Sequence, residues 1–292
     1  MNETGPNETG PNETRRNETA PNDPNETATT ETALNDPNET ATTETALITG
    51  ATAGLGAEFA RQLGARHYNL VLVARDATRL ESKAALLRQE FGVAVETISA
   101  DLETDNGLAA VAARLRRSPE PVTMLVNNAG YGMARSFEHN SVEQEAALLA
   151  ILVEAPMRLT HAALEQMLAR GHGRIINVAS MAGFVPHGTY SACKAWVINF
   201  SRWANVRYGR KGVHVTAVCP GFVHTEFHER MGVSMSGMPR WMWLDPDRVV
   251  REGLSDALAG KAVSVPSKRY RLMAFLARFA PARLIAAAPV RR

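Results

Sequence analysis

The chain of 292 residues has little cysteine, a small net charge and no long uninterrupted apolar run. Its two cysteines, Cys193 and Cys219, are too few for a disulfide framework, which indicates a reduced, intracellular protein. A formal net charge of +2 gives no overall electrostatic reason to bind nucleic acid. No stretch approaches the roughly 20 apolar residues of a membrane-spanning helix, and the N-terminus lacks the apolar core of a secretory signal. These absences predict a cytoplasmic protein with no nucleic-acid partner.

Metal binding is not indicated by the sequence either. The eight histidines show no metal-ligand spacing, and two cysteines cannot complete a four-ligand site. What the chain does have is the composition of a packed globular protein, with 45% hydrophobic and 21% charged residues. We therefore predict a metal-free protein with a sizeable hydrophobic core.

Residues 1–44 differ in composition from the rest of the chain. Asn-Glu-Thr recurs there with Pro and Gly between the copies, and residues 22–34 are repeated without change as residues 35–47. The segment has almost no large apolar side chains, so it cannot bury enough surface to offset the entropy of ordering. It predicts a low-complexity, disordered tail. The second repeat copy runs directly into Ile48-Thr49-Gly50, so the fold is expected to start inside the repeat.

Beyond the tail, apolar runs alternate with amphipathic stretches. The runs that indicate buried strands lie at 45–49, 69–74, 93–98, 122–126, 174–178 and 213–218. The stretches typical of helices lie near 55–66, 77–90, 104–116, 141–169 and 190–210. Regular strand–helix alternation predicts right-handed crossovers and an α/β fold, a single Rossmann-type doubly wound parallel sheet flanked by helices. We place this domain at residues 45–265.

A glycine-rich turn follows the first predicted strand. It comprises Gly50, Thr52, Ala53, Gly54, Leu55 and Gly56, and a predicted helix begins at once. Glycines allow a tight turn and a close approach of the backbone to a pyrophosphate, which the N–H groups and dipole of the helix start attract. Glycines serve any strand–helix turn, but this position favours dinucleotide binding.

The end of the second predicted strand favours NADP(H) over NAD(H). A site for NAD needs a carboxylate there to hold the ribose hydroxyls. Ala74 stands at that point instead, and Arg75 can pair with a 2′-phosphate. The alternative is that Arg75 is a solvated charge and Asp76 caps the next helix.

Several further motifs follow in order: Asn127-Asn128-Ala129-Gly130, Ser180, Tyr190-Ser191-Ala192-Cys193-Lys194 and Pro220-Gly221. Together with the glycine turn, they resemble the short-chain dehydrogenase/reductase family over roughly residues 45–265. The resemblance implies a Rossmann-type fold and reversible hydride transfer between a nicotinamide and a carbonyl or alcohol.

Three residue types in these motifs suit that chemistry. A substrate oxygen must gain or lose a proton during hydride transfer, and a free tyrosine, with a pKa of about 10, is a poor base. Tyr190 and Lys194 lie four apart on one helix face, so the ammonium is expected to lower the pKa of the phenol. Ser180 would orient the substrate oxygen. We therefore predict Ser180, Tyr190 and Lys194 as the catalytic residues, against the alternative that all three have ordinary structural roles.

The resemblance also implies further cofactor-binding residues. Asp101 and Leu102 match the family's adenine-pocket pair, and Lys194, with Tyr190, would contact the nicotinamide ribose. The remaining implied positions lie in two loops: Asn128, Ala129 and Gly130 after one strand, and Pro220, Gly221, Val223 and Thr225 after another.

The chain departs from the family pattern in two places. Family members often carry an asparagine that holds a proton-relay water, and here Leu152 occupies that position. Ser180 and Tyr190 are ten residues apart, a shorter spacing than the family usually has, which is expected to tighten the loop and can misplace Ser180.

The C-terminal third of the chain contains the segments that bear on the substrate and on packing partners. Residues 223–245 are rich in Met and Trp, which predicts a mobile apolar lid and a hydrophobic substrate, or else packing on the core or another subunit. Residues 266–292 form a basic amphipathic extension, which predicts packing on the domain or a second subunit, with peripheral membrane contact as the alternative.

The sequence as a whole predicts an NADP(H)-dependent oxidoreductase that interconverts a carbonyl and an alcohol on a small hydrophobic molecule. The family resemblance implies a homodimer or homotetramer. The alternative is a dinucleotide-binding sensor or scaffold with little catalysis. A third and weaker possibility is a membrane-surface interaction protein.

Overall fold

A parallel seven-stranded sheet forms the centre of the molecule. The computed structural model describes residues 44–226, 239–277 and 279, so the predicted tail lies outside the described residues apart from Glu44. The strands of the sheet are β1 (Thr45–Thr49), β2 (Asn69–Ala74), β3 (Val95–Ser99), β4 (Met124–Asn127), β5 (Gly173–Val178), β6 (Val213–Val218) and β9 (Val263–Ser264). Their spatial order is β3-β2-β1-β4-β5-β6-β9, and every pairing is parallel.

The central strands are buried on both faces, as their apolar sequences predict. Leu47 of β1 packs into one hydrophobic cluster, and its neighbours Ala46 and Ile48 pack into the cluster on the other face. Strand order reverses direction between β1 and β4, which is the arrangement of a doubly wound sheet. The predicted fold class is confirmed.

Helices cover both faces of the sheet. They are α1 (Gly54–Gly64), α2 (Ala77–Phe91), α3 (Asp105–Arg116), α4 (Val142–Leu149), α5 (Ala155–Arg170), α6 (Gly188–Gly209), α7 (Pro246–Leu258) and α8 (Lys268–Ala277). Local sequence explains several boundaries. The Asp76 carboxylate accepts a hydrogen bond from the Arg79 N–H at the start of α2, and Ser141 and Gln144 form a capping box at the start of α4.

Helices α4 and α5 are joined by a π-helical turn at Ala150–Glu154, so residues 142–170 form one long helix. By length and mean hydropathy alone, this helix could cross a membrane. It instead packs against the sheet, since Leu159, Ala162 and Met167 are fully buried. The π turn places Leu152 against the active-site edge of the sheet, as described below.

The C-terminal part of the chain adds elements that the sequence pattern did not predict. A two-stranded parallel pair joins β7 (Phe222–Val223) to β8 (Trp243–Leu244), and α8 packs behind it. One face of α8 is solvent-exposed and, together with Phe279, is apolar; this C-terminal apolar face consists of Leu272, Phe275, Leu276 and Phe279. The carboxyl ends of β1, β4, β5 and β6 therefore meet at one edge, with β7 beside them.

Candidate active site

The glycine turn closes tightly over the end of β1. Gly50 has a φ of +67°, and its N–H donates to the Val73 carbonyl at 2.8 Å. Gly56 lies in the first turn of α1, where a Cβ atom would overlap the Gly50 carbonyl oxygen. Ala53 provides no side-chain cap for α1, and the first turn of α1 contains no acidic residue. The helix start therefore offers main-chain N–H groups to an anion.

Asn128 and Thr49 fix this turn to the end of β4. The Asn128 side-chain amide donates to the Thr49 carbonyl at 2.9 Å and to the Gly50 carbonyl at 3.3 Å. The Thr49 hydroxyl accepts from the N–H groups of Asn128 and Ala129 at 2.9 and 3.0 Å. Asn128 thus supports the turn through its side chain, while Ala129 and Gly130 continue along the crevice. Thr49 was not predicted as a site residue.

The loop after β6 borders the same crevice. Thr225 lies beside Gly54, with its Cβ 3.4 Å from the position that a Cβ on Gly54 would take. Val223 is buried, so its main chain and not its side chain can face the crevice. The Pro220 carbonyl accepts from the Met181 N–H at 2.9 Å, which ties this loop to the segment after β5.

Ser180, Tyr190 and Lys194 meet where β5 ends and α6 begins. The Ser180 side chain is close enough to Tyr190 to act on its pKa in the lowering direction, and the Ser180 hydroxyl accepts from the Ala182 N–H at 3.1 Å. The Lys194 ammonium lies 5.7 Å from the centre of the Tyr190 ring and donates to the Val178 carbonyl at 2.7 Å. The short loop therefore brings Ser180 to Tyr190, and the expected risk of misplacing Ser180 is not realised in the geometry.

Burial has the largest effect on the pKa values of Tyr190 and Lys194. It raises the pKa of Tyr190 to about 12, against which the hydrogen bond from Ser180 acts in the lowering direction. It lowers the pKa of Lys194, which is only 7% exposed, to about 8. The pKa of Tyr190 therefore shifts, in the protein alone, in the direction opposite to the one that the Tyr190–Lys194 spacing predicted. The physical reason is that the ammonium sits over the ring and donates to a carbonyl, while desolvation penalises the phenolate.

A chain of buried polar side chains lies beneath the cluster. The Asn127 amide donates to the Asn177 carbonyl oxygen at 2.8 Å and to the Thr160 hydroxyl at 3.2 Å. The Asn177 amide in turn donates to the Ser201 hydroxyl at 3.0 Å. Sequence reasoning missed this chain, although a signal existed: Asn177 interrupts the apolar run of β5.

Leu152 borders the same region from the π turn. A Cβ atom on Gly130 would overlap its Cδ2 atom, so the leucine packs directly over that glycine. Leu152 also lines a narrow crevice of about 10 Å³ together with Asn127 and Lys194. The side-chain oxygen Oδ1 of Asn127 has no hydrogen-bond partner among the described residues. An apolar side chain thus stands where the family pattern has a water-binding amide.

The far end of the crevice carries charges of both signs. Arg75 is exposed after β2, and its charge lowers the pKa of Glu103, whereas burial and Asp101 raise it. The Asp101 carboxylate accepts from the Glu103 N–H at 3.0 Å, while the Leu102 side chain is buried in the core. The structure thus brings Arg75 and Asp101 together at the ends of β2 and β3.

Arg79 is a further cation at this mouth, which the sequence analysis did not identify. It lies in the first turn of α2, and its guanidinium is 3.6 Å from the Glu226 carboxylate. Its neighbour Asp76 caps α2, in line with the alternative reading of that residue.

The predicted apolar lid lies partly outside the described residues. Met231, Met235 and Met238 lie outside the described residues. Trp241 is 55% exposed, and the Trp243 ring stacks on His224 with ring centres 4.6 Å apart. Trp243 therefore packs beside the loop after β7, while Trp241 is open to solvent.

Comparison with known proteins agrees with this geometry. The family model for short chain dehydrogenase matches residues 44–234. The very-long-chain 3-oxoacyl-CoA reductase of Laccaria bicolor is 37% identical over 160 residues, which cover 53% of this chain and 47% of that protein. The chain thus aligns with about half the length of this curated relative.

Two solved structures cover much more of the chain. A short-chain dehydrogenase from Sphingobium yanoikuyae in complex with NADPH is 34% identical, with a TM-score of 0.75, covering 85% of this chain and 98% of that one. The bulky-bulky ketone specific alcohol dehydrogenase from Comamonas testosteroni is 31% identical, with a TM-score of 0.70, covering 85% of this chain and 96% of that one.

The match extends over more than half of the chain and includes the glycine turn and the segments that carry Ser180, Tyr190 and Lys194. The protein is therefore an oxidoreductase that binds a nicotinamide dinucleotide and acts on alcohol or ketone groups of small molecules. It belongs to the short-chain dehydrogenase/reductase family.

Proposed function

We propose that the protein catalyses NADP(H)-dependent interconversion of a ketone and an alcohol, with Tyr190 as the acid/base. The observation that carries this proposal is the Lys194 ammonium 5.7 Å from the centre of the Tyr190 ring, with Ser180 close enough to act on the pKa of the same phenol. This cluster stands beside the glycine turn at the carboxyl edge of the sheet, where ligands bind in doubly wound folds.

The residues at this edge fit a dinucleotide. Any side chain at Gly50 or Gly56 would overlap neighbouring protein atoms, which keeps the turn tight, and the uncapped start of α1 suits a pyrophosphate. The main chain of Val223 and the side chain of Thr225 would face the carboxamide, and Lys194 would donate to the nicotinamide ribose. The bound cofactor supplies or accepts the hydride; this chain's residues bind, orient and move the proton.

The protonation states favour the direction of reduction. At neutral pH a phenol with a pKa of about 12 carries its proton, so Tyr190 can donate it to the developing alkoxide of a ketone. Ser180 holds the phenol hydroxyl and can orient the substrate oxygen beside it. Lys194, with a pKa of about 8, is mainly an ammonium at pH 7 and stabilises the phenolate that proton donation leaves.

The preference for NADP(H) over NAD(H) is part of the proposal. Arg75 is exposed at the end of β2, where no carboxylate follows the strand directly. The Sphingobium relative was solved with NADPH, which supports the same assignment. Glu103 lies close enough to Arg75 for the two charges to interact, and the preference is expected to depend on that one guanidinium.

We propose a bulky hydrophobic substrate. The exposed Trp241 ring and the Trp243–His224 stack offer apolar surface next to the loop after β6. The Comamonas relative is described as specific for bulky-bulky ketones, and the Laccaria relative as a reductase of very-long-chain 3-oxoacyl-CoA, which supports this class.

The test is a screen of NADPH and NADH oxidation over steroid, acyl and aromatic carbonyls. Tyr190→Phe should lower kcat by roughly 10²–10⁴-fold, because the proton donor is lost while binding surfaces remain. Its affinity for NADPH should stay near that of the wild type, which controls for folding. Binding of NADPH without turnover of any carbonyl would favour a sensor or scaffold role, and wild-type rates in Tyr190→Phe would refute the mechanism.

We also propose a homo-oligomer that works in the reducing cytoplasm. The long helix and α6 lie side by side and expose apolar side chains that a second copy can cover: Val142, Leu149, Met157, Trp203 and Val206. Both cysteines are buried and free, which supports a reducing compartment. Light scattering of the wild type and Trp203→Glu tests the interface: the variant should shift towards the monomer.

A further inference from the structure

The loop that follows β6 is packed from behind by a tyrosine of the C-terminal helix. Tyr270 of α8 is only 3% exposed. Its ring occupies the space beside Gly221, where a Cβ atom would overlap the ring. Gly221 is therefore a glycine because α8 approaches the loop main chain more closely than any side chain would allow.

The Tyr270 hydroxyl joins two segments of main chain. It accepts a hydrogen bond from the Phe222 N–H at 3.2 Å and donates one to the Met242 carbonyl at 2.6 Å. Phe222 is the first residue of β7 and lies opposite Trp243 of β8, and Met242 immediately precedes β8. One hydroxyl thus fixes the spacing between the loop after β6 and the segment that enters β8.

The tyrosine also shares a hydrophobic cluster with the residues that border the crevice. Val223, Leu244 and Val249 are buried with it, and Leu55 of the glycine turn and Met181, next to Ser180, pack against the same cluster. A movement of Tyr270 would therefore displace Val223, whose main chain faces the proposed carboxamide position.

The start of α8 is held firmly enough to serve as an anchor. The Ser267 N–H donates to the Glu252 carboxylate at 2.9 Å, and Ser267 adopts a φ of +79°, a conformation that non-glycine residues rarely take. The Arg269 guanidinium donates to the Trp243 carbonyl at 2.9 Å. These contacts fix the start of α8, just before Tyr270, to α7 and to β8.

We propose that Tyr270 is a positioning residue, which holds the loop of residues 220–225 in the geometry that receives the nicotinamide. The inference rests on the proposed function, because it assigns the loop the nicotinamide end of the cofactor. Tyr270 is buried behind the loop and would act through Gly221, Phe222 and Val223. Its loss should weaken binding of the nicotinamide half and leave the adenosine half unaffected.

The test compares two ligands on the full-length chain: NADPH, and 2′,5′-ADP, which lacks the nicotinamide half. Tyr270→Phe keeps the ring beside Gly221 but removes the hydroxyl, which leaves the Phe222 N–H and Met242 carbonyl without that partner. We expect the Kd for NADPH to rise roughly tenfold and the Kd for 2′,5′-ADP to change by less than about twofold. Calorimetry measures both.

Two further variants make the result specific. Gly221→Ala keeps the hydroxyl but forces the ring away from the loop, and should give the same selective loss. Tyr208→Phe removes a hydroxyl from α6, outside the cluster around Tyr270, and should leave both affinities unchanged. The combined variant Tyr270→Phe/Gly221→Ala should lose less than the product of the single losses, because both act on one contact.

The outcomes separate this inference from the function on which it rests. If the wild type binds no NADPH, the proposed function and this inference fail together. If the wild type binds NADPH but Tyr270→Phe and Gly221→Ala each change the two affinities equally, or change neither, the positioning role alone is refuted.

Discussion

Raising the pH from 7 to 9 should weaken NADPH binding about tenfold, because Lys194 loses its proton across that interval. The side chain is buried, and desolvation lowers the pKa of its ammonium to about 8. An ordinary lysine would remain charged throughout this range. The prediction therefore depends on the burial that the structure shows.

The size of the effect follows from the charged fraction. With a pKa of about 8, roughly nine-tenths of the lysine is protonated at pH 7 and roughly one-tenth at pH 9. If only the ammonium donates to the nicotinamide ribose, the apparent affinity falls in proportion. The neighbouring Tyr190 and Cys219 do not interfere, because burial raises the pKa of each to about 12. Cys193 also has its pKa raised by burial.

The assay is a titration of NADPH by fluorescence at pH values from 7 to 10, with 2′,5′-ADP as the matched ligand. 2′,5′-ADP lacks the nicotinamide ribose, so its affinity should stay level over the same range. Lys194→Met suits the buried site and carries no charge. Its affinity for NADPH should be low and independent of pH, close to that of the wild type at pH 10.

Two results would refute this reasoning. A wild-type affinity for NADPH that stays constant to pH 10 would show that the ammonium is not required, or that it keeps an ordinary pKa. A pH dependence that persists unchanged in Lys194→Met would assign the titration to another group. Rates of ketone reduction at subsaturating NADPH should follow the same curve, since they report the free enzyme.

Three other predictions follow from the site and the surface. Arg75→Ala should raise the Kd for NADPH roughly tenfold or more while leaving that for NADH nearly unchanged, because only the 2′-phosphate needs the guanidinium; equal changes would refute the NADP assignment. Leu152→Asn should lower the free energy of unfolding by about 2 kcal/mol or more, since the leucine packs over Gly130; an unchanged midpoint in urea would show that the amide finds partners in the crevice. The alternative of peripheral membrane contact for residues 266–292 predicts that the chain sediments with anionic vesicles at low salt but not at high salt, and that Phe275→Glu abolishes this; sedimentation that is independent of salt and of the substitution would refute that alternative.

Sequence periodicity predicted the central sheet well because it reports burial. The six predicted strands all exist, and two of them start later than expected: β3 at Val95 and β4 at Met124. Val93 and Val122, just before them, are buried without belonging to a strand. Apolar runs mark what lies inside, whereas strand boundaries depend on hydrogen bonds between segments.

The parts of the fold that the sequence did not reveal are short or lack a periodic signal. Strands β7, β8 and β9 have two residues each, too few for any alternation to be recognised. The π turn at Ala150–Glu154 lies within an apolar helical stretch whose pattern does not distinguish one hydrogen-bonding register from another.

The site shows the same division between local and long-range information. Local motifs placed Ser180, Tyr190 and Lys194 correctly beside one another, since two of them share a helix and the third ends a neighbouring strand. Tyr270 and Phe222, which are in contact, lie 48 residues apart in the sequence, and no motif predicts their contact. The sequence also did not predict that the pKa of Tyr190 is raised, because residue spacing says nothing about desolvation.

The junction between the repeats and the sheet has a consequence for how the chain can change in length. Residues Glu44 to Leu47 close the second repeat copy, and they supply most of central strand β1 and a side-chain hydrogen bond between Glu44 and His172. The first copy ends in the same four residues, Glu31 to Leu34. Loss of one thirteen-residue unit, or gain of another, would therefore present Ile48 with an identical preceding sequence. Contraction or expansion of the repeat can therefore shorten or extend the N-terminal segment without changing the sequence of β1. The last repeat copy supplies the same residues of that strand in each case.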